Sequence, residues 1–251
     1  MFSNSNVVRL NNVKESPMRV LFVIDHPYEG SYSRALAAAA IRGATSAGHD
    51  VDVIDLDLDD FDPVVRRADL GAWREGRTVD PRAAEYQDRL AAADHLVLVH
   101  PVWWEVMPAR LKGFFDKVLV PGFAYTETRV GTLEGLLGLS GVTLVTTMTT
   151  PGPLYRLWFG APVHRVVARG VFGQLGVRRV RWVNHPRVAE VSPARRARWL
   201  TALERRFASL PEPSGRARER AARRNAARPA DARPVDVRGG AEHEPAARPA
   251  A

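Results

Sequence analysis

At 251 residues, with 36 Lys and Arg against 28 Asp and Glu, the chain carries a formal charge of +8 and has the length for one ordinary domain plus tails. It has no cysteine, which excludes disulfides, thiolate metal sites and a thiol nucleophile. No apolar run approaches a signal peptide or a membrane span, so a soluble, cytoplasmic protein is expected.

In chain order, residues 1–17 read as an unstructured extension, and Met18, directly before the first apolar run, is a candidate for the native start. Arg19 to Asp25 (RVLFVID) is short and continuously apolar, as expected of a strand covered on both faces. Ser33 to Ala47 is an Ala-rich helix closed by Gly48. Asp50 to Leu56 alternates charge and aliphatic, the pattern of a strand with one more polar face, and Asp57 to Asp80 reads as a charged surface loop holding a short helix. A helix over Pro81 to Ala93, a strand over His95 to His100, a helix over Pro108 to Val118 and a strand over Val142 to Thr147 follow. The chain continues with a helix over Pro162 to Leu175, a strand over Arg178 to Val183 and a last helix over Ser192 to Ser209, opened by Ser192-Pro193.

From Pro211 to Ala251 there are nine arginines, six acidic residues and no aromatic residue. Such a segment buries too little apolar surface to offset the entropy of ordering, so residues 211–251 are expected to be a disordered tail. A basic tail can touch nucleic acid or acidic lipid; an inert solvated extension, with no nucleic-acid partner, is the expectation. The folded part is then 18–210. Five strands interleaved with five helices predict an α/β doubly wound, five-stranded parallel sheet with helices on both faces.

In such a sheet with strand order 2-1-3-4-5, ligands sit beyond the carboxyl ends of the strands, where strand order reverses between strands one and three. Three distinctive loops fall there. His26 to Ser33 places Ser31 and Ser33 at a helix N-terminus, where free N–H groups and the helix dipole favour an anion, with Gly30 permitting close approach and His26 able to donate. The same residues also suit an ordinary Ser cap beside a loop histidine. Pro101-Val102-Trp103-Trp104-Glu105 offers flat surfaces and backbone N–H groups to an aromatic ring, or else packs a tryptophan pair under a helix. Thr147-Met148-Thr149 would bond a ring carbonyl or simply end a strand. Neither a Walker A pattern nor G-x-G-x-x-G occurs, which disfavours a nucleoside-triphosphate site or a standard dinucleotide fold.

The pattern H-P-x-x-x-S-x-S after strand one, P-x-x-W-x-x-x-P-A-x-L-K-G-x-x-D-K-V after strand three, and the G-F-A-Y that follows resemble the flavodoxin-like NAD(P)H:quinone oxidoreductases. That group includes DT-diaphorase-type quinone reductases, bacterial drug-activity modulators and the ancillary oxidoreductases of potassium-efflux systems. The resemblance covers roughly 19–183. It implies a flavodoxin-like sheet and a non-covalent flavin, FMN or FAD. NAD(P)H would reduce it, and the electrons would pass to a quinone or similar acceptor in a ping-pong cycle. It also implies a homodimer whose partner chain completes the substrate pocket, and Gly122 to Tyr125 and Trp158-Phe159 are apolar enough for such an interface.

Carried over by position, His26, Ser31, Tyr32 and Ser33 match residues that bind the flavin phosphate. Pro101, Val102, Trp103, Trp104 and Glu105 match the segment that lines the isoalloxazine through backbone groups and Trp104. Thr147, Met148 and Thr149 match the loop beside the ring's polar edge, where Met148 and Thr149 replace two glycines of the commoner T-T-G-G. Tyr155 resembles a tyrosine that stabilises charge during hydride transfer; His164 is the nearest histidine to accompany it. Asp116 and Lys117 read as a helix-surface ion pair. The chemistry needs no acid–base triad, because the flavin carries the difficult step. Two other classes stay open: a flavin-bearing electron carrier, against which the mildly basic folded part speaks, and a regulatory subunit of a membrane transporter.

Overall fold

The strands at the centre of the sheet are buried along their whole length, save only Arg19 at the start of the first. In the computed structural model, which describes residues 17–211 apart from Arg129, together with Gly215, Glu219 and Arg223, β1 (Arg19–Ile24) leads through α1 (Tyr32–Ser46) to β2 (Asp50–Asp55). Then come α2 (Arg67–Arg74), α3 (Pro81–Ala91), β3 (His95–Pro101) and α4 (Ala109–Val118). A hairpin of β4 (Tyr125–Glu127) and β5 (Leu133–Gly135) precedes β6 (Gly141–Thr147), α5 (Gly152–Leu157) and α6 (Pro162–Arg165). A π-helical segment (Val166–Val171), β7 (Val180–His185) and α7 (Pro193–Phe207) follow. The extensions expected at 1–17 and 211–251 lie almost entirely outside the described residues.

The main sheet runs β2-β1-β3-β6-β7, all parallel, which is the predicted order once the β4–β5 hairpin is set aside. Side chains alternate between two cores. Leu21, Val23, Leu96 and Leu98 join α3 and α4 on one face through Tyr86, Leu90, Leu111 and Phe114. Val20, Phe22, Val97 and Val99 join α1 and α7 on the other through Leu36, Ala40, Leu203 and Phe207. The alanines of α1 let α7 come close: a Cβ on Gly43 would collide with the backbone of Glu204. At the edge, β2 is buried only at its last two residues, and Asp52 on its open part is held by Arg89.

Three expectations are corrected. Asp116 does not pair with Lys117; it pairs with Lys112 one turn earlier at 2.5 Å. Lys117 points inward, bonded to Asp80 at 2.5 Å and to the Asp62 carbonyl at 3.0 Å. The helix expected over Pro162 to Leu175 is instead a short α6 that widens into the π-helical segment, where Phe172 N–H reaches back to the Val167 carbonyl. The fifth strand lies two residues later than its apolar run suggested, paired with β6 from Val142↔Val180 to Thr147↔His185.

Candidate functional site

The carboxyl ends of β1, β3 and β6 open onto one rim, and the loops that leave them touch. The first, His26–Ser33, is closed by Ser31, whose Oγ accepts the N–H of Arg34 at 3.2 Å and caps α1. The leading N–H groups of α1, from Tyr32 and Ser33, precede the helix's own ladder and face outward from its positive end. Tyr28 folds over Gly30, where a Cβ would lie 2.6 Å from the phenol oxygen. His26 Nδ1 accepts the N–H of Tyr28 at 3.0 Å, so the neutral ring carries its proton on Nε2 and can donate there. Burial, and then Arg34, hold this histidine below its ordinary value, so it offers a neutral donor rather than a charge at neutral pH. Arg34 itself is forked onto Asp55, with Asp57 beyond, and its Nε bonds the His26 carbonyl at 3.0 Å. The loop therefore presents dipoles.

Two neighbours reach across the fold from this loop. Tyr32 gives its hydroxyl proton to the Arg196 carbonyl at 2.8 Å, and its ring lies edge-on to His185 at 6.3 Å. Ser33 is buried, its Oγ 2.9 Å from Thr147 Oγ1 at the end of β6. The serine expected at an anion is thus spent on joining two loops.

The second loop is a tight reversal. Trp103 and Val106 exchange backbone hydrogen bonds at 2.9 and 3.1 Å. Between them Trp104 and Glu105 have φ of 48° and 67°, the signs of a type I′ turn, which ordinarily demands Asn or Gly. Trp104 stands 98% exposed at the tip and Trp103 45% exposed, so neither is packed under a helix. The N–H of Val102 goes to the Thr147 carbonyl at 2.8 Å, which leaves Trp104 and Glu105 as the turn residues whose N–H groups lie outside its own bonds. Pro101 is the buried last residue of β3. Trp103 meets His26 edge-on at 6.1 Å, joining the first two loops directly.

In the third loop Met148 is buried, held by His185 and Val188 through its backbone, with the Asn184 amide 3.4 Å from its sulfur. Neither Met148 nor Thr149 has positive φ, so the backbone does not need the two glycines they replace; Thr149 is exposed. Tyr155 is fully buried. Its hydroxyl donates to the Glu105 carbonyl at 2.7 Å and accepts the Val163 N–H at 3.0 Å. Burial pushes its pKa up to about 12. It supports the strained turn from behind. His164 stacks on Trp182 at 5.4 Å and 18°, and Tyr155 packs against the same indole at 5.8 Å.

Sequence reading passed over Asp25 and His100. Asp25, buried at the end of β1, accepts the N–H of Leu111 at 2.9 Å. It thereby caps α4, whose own Pro108 has no side-chain oxygen. Burial raises its pKa to about 6. His100 is completely buried before Pro101, its Nδ1 2.7 Å from the Pro101 carbonyl, and burial lowers it to about 4. Its Nε2 and Glu105 Oε2 are buried without a hydrogen-bond partner among the described residues. The only early signal for Asp25 was a charged residue closing an otherwise apolar run.

The flavodoxin-like fold family matches residues 18–207. The chain belongs to that family. Among relatives of this flavodoxin-like chain, NAD(P)H dehydrogenase [quinone] 1 of Rattus norvegicus is 34% identical over 125 residues, 43% of this chain and 45% of the rat protein. An FMN-dependent NADH:quinone oxidoreductase of Ruegeria pomeroyi is 29% identical over 180 residues, 66% of this chain and 88% of that protein. The chain spans about half the length of the curated relatives it matches first. The solved structure of an NAD(P)H:quinone oxidoreductase from Methanothermobacter marburgensis superimposes with a TM-score of 0.68 at 24% identity, over 78% of this chain and 100% of that one. At that identity the likeness shows the fold. No helix among the described residues is long and apolar enough to cross a membrane.

Proposed function

We propose that the rim binds FMN non-covalently and that the protein is a cytoplasmic NAD(P)H:quinone-type oxidoreductase working in a ping-pong cycle. The observation that carries this reading is the edge contact of His26 with Trp103 at 6.1 Å, which brings an anion-suited helix N-terminus against an exposed aromatic turn. A phosphorylated planar ring system matches both halves. The residues present fit it: His26 Nε2 and the first N–H groups of α1 suit the phosphate, while Trp104 and the N–H groups at the turn tip suit the ring. When bound, the flavin supplies the hydride chemistry. The chain's part is to hold the ring in place, exclude water from one side with Trp103 and Trp104, and offer donors where negative charge develops. Tyr155, a phenol with a raised pKa, keeps its proton on the Glu105 carbonyl and so holds the turn in shape.

FMN is favoured over FAD by the similarity to the FMN-dependent Ruegeria relative. A quinone-like acceptor is favoured by both relatives' names. A homodimer is favoured by Leu157 and Trp158, 86% and 80% exposed beside Phe159, an apolar cluster a lone chain would leave in water. The test is an absorption spectrum of freshly purified protein, chromatography of the cofactor released by heat, and NAD(P)H oxidation with and without an added quinone. A colourless protein that takes up no FMN would overturn the reading. His26→Ala with Ser31→Ala should weaken FMN binding by about 2–4 kcal/mol in a fluorescence titration.

A further inference from the structure

Asp25 is an unusual residue in its position. It closes β1, whose other residues are aliphatic or aromatic after Arg19, and is 2% exposed. Its carboxylate does not serve its own loop. It reaches 86 residues along the chain to the N–H of Leu111, the third residue of α4. That helix starts two residues after Met107, so its first turn fixes the exit of the Trp103–Val106 reversal. By covalent continuity, Asp25 is also the residue that launches His26–Ser33. Its own N–H is tied to the Val99 carbonyl at 3.0 Å, so its backbone is held by the strand beside it. Arg110 on α4 and Asp55 and Asp57 at the end of β2 are the charged groups around it; Arg110 is paired with Asp57 and Arg34 with Asp55. The Leu111 N–H is the bond the carboxylate makes in this crowd.

We propose that Asp25 is a positioning residue that locks the two halves of the crevice in register, its carboxylate holding the first turn of α4 and with it the aromatic turn against the phosphate loop. The consequence for ligand rests on the FMN reading above; the mechanical claim does not. A neutral side chain with an acceptor at the same place serves, and one without does not.

The experiment compares Asp25→Asn, which keeps an acceptor oxygen, with Asp25→Val, an aliphatic side chain that has none. Asp94→Ala, which removes the acceptor of the Arg19 N–H at the opposite, amino-terminal end of the sheet, is the control for a simple loss of stability. Amide hydrogen exchange of residues 102–112 is measured in the flavin-free protein, and FMN affinity is measured by fluorescence. Asp25→Val should raise exchange in that segment by about tenfold or more and weaken FMN binding by about tenfold. Asp25→Asn should stay within about threefold of wild type in both, and Asp94→Ala should leave both unchanged while lowering the melting temperature. Should Asp25→Val not fold, Asp25→Ala takes its place with the same expectation. Wild-type exchange in the acceptor-free variant, or an Asn variant as loose as it, would overturn the proposal. A wild-type protein that binds no FMN would overturn the functional reading, and the exchange data would still decide the role of Asp25.

Discussion

The two halves of the crevice are built on opposite principles. No residue from His26 to Ser33 has positive φ; the loop ends in an ordinary serine cap, and its one reactive ring is settled on a neighbouring N–H. The Trp103–Val106 reversal puts two bulky residues at 48° and 67° and leaves an indole in water and a carboxylate oxygen without a partner. Backbone strain of this kind persists only where surroundings over-determine it. Here they do. Tyr155 holds the Glu105 carbonyl, Thr147 holds the Val102 N–H, and Asp25 holds the helix that follows. A serine-capped helix end needs no such bracing, whereas a turn with two bulky residues at positive φ does.

Acid should erase the difference, because a neutral buried histidine lies under each half. His100 precedes the aromatic turn and His185 packs against Tyr32; a third, His95, sits at the far end of β3. Burial lowers all three to about 4 from 6.5. The unfolded chain therefore binds these protons first as pH falls, so their contribution to stability is full above about 6.5 and is lost on the way down to about 4, on the order of 3 kcal/mol each. Asp25 has the opposite sign. Its folded pKa of about 6 lies above the ordinary 3.8, so the native state binds that proton first and the cost of its charge, also on the order of 3 kcal/mol, disappears as pH falls from 6 to 4. Urea titrations from pH 7.5 to 4.5 should show a net loss on the order of 6 kcal/mol. Asp25→Asn should start more stable at pH 7.5 and fall more steeply to meet wild type near pH 4. Parallel curves for the two proteins would refute these protonation states.

Removing one hydroxyl from each half should separate them next. Tyr155→Phe strands the buried Val163 N–H and frees the Glu105 carbonyl, with an expected loss of about 3 kcal/mol. Ser31→Ala removes only a helix cap and should cost about 1 kcal/mol. Equal losses in denaturant titrations would mean the turn does not depend on Tyr155.

What the sequence discloses follows the same division. The short runs rich in Val and Leu in β1, β3 and β6 announce a buried parallel sheet, and the topology rule then brings their loops to one rim. The Ser31 cap of α1 is legible because a serine before an Ala-rich helix is a local pattern. The aromatic turn is not. Trp104-Glu105 lacks the glycine or asparagine that advertises positive φ, and the Tyr155 bond that enforces it spans 50 residues. Asp25 is hidden for the same reason, since an aspartate after a strand looks like the start of a turn. The β4–β5 hairpin is three residues a side, too short to show alternation.

The smallest effect is also the most direct measure of strain. Glu105→Gly places the residue that tolerates φ of 67° where glutamate now sits, and removes a buried oxygen without a partner. Relief of about 1–2 kcal/mol is opposed by the greater freedom glycine gives the unfolded chain, about 0.5–1 kcal/mol, so a net gain below about 1 kcal/mol is expected. Glu29→Gly, at an exposed position with ordinary φ in the His26–Ser33 loop, meets only the second effect and should lose about 0.5–1 kcal/mol. The same chemical change thus takes opposite signs on the two sides of the crevice. A loss at both positions in chemical denaturation would show that Glu105 sits at its turn without strain, and the contrast between the halves would then lie in exposure alone.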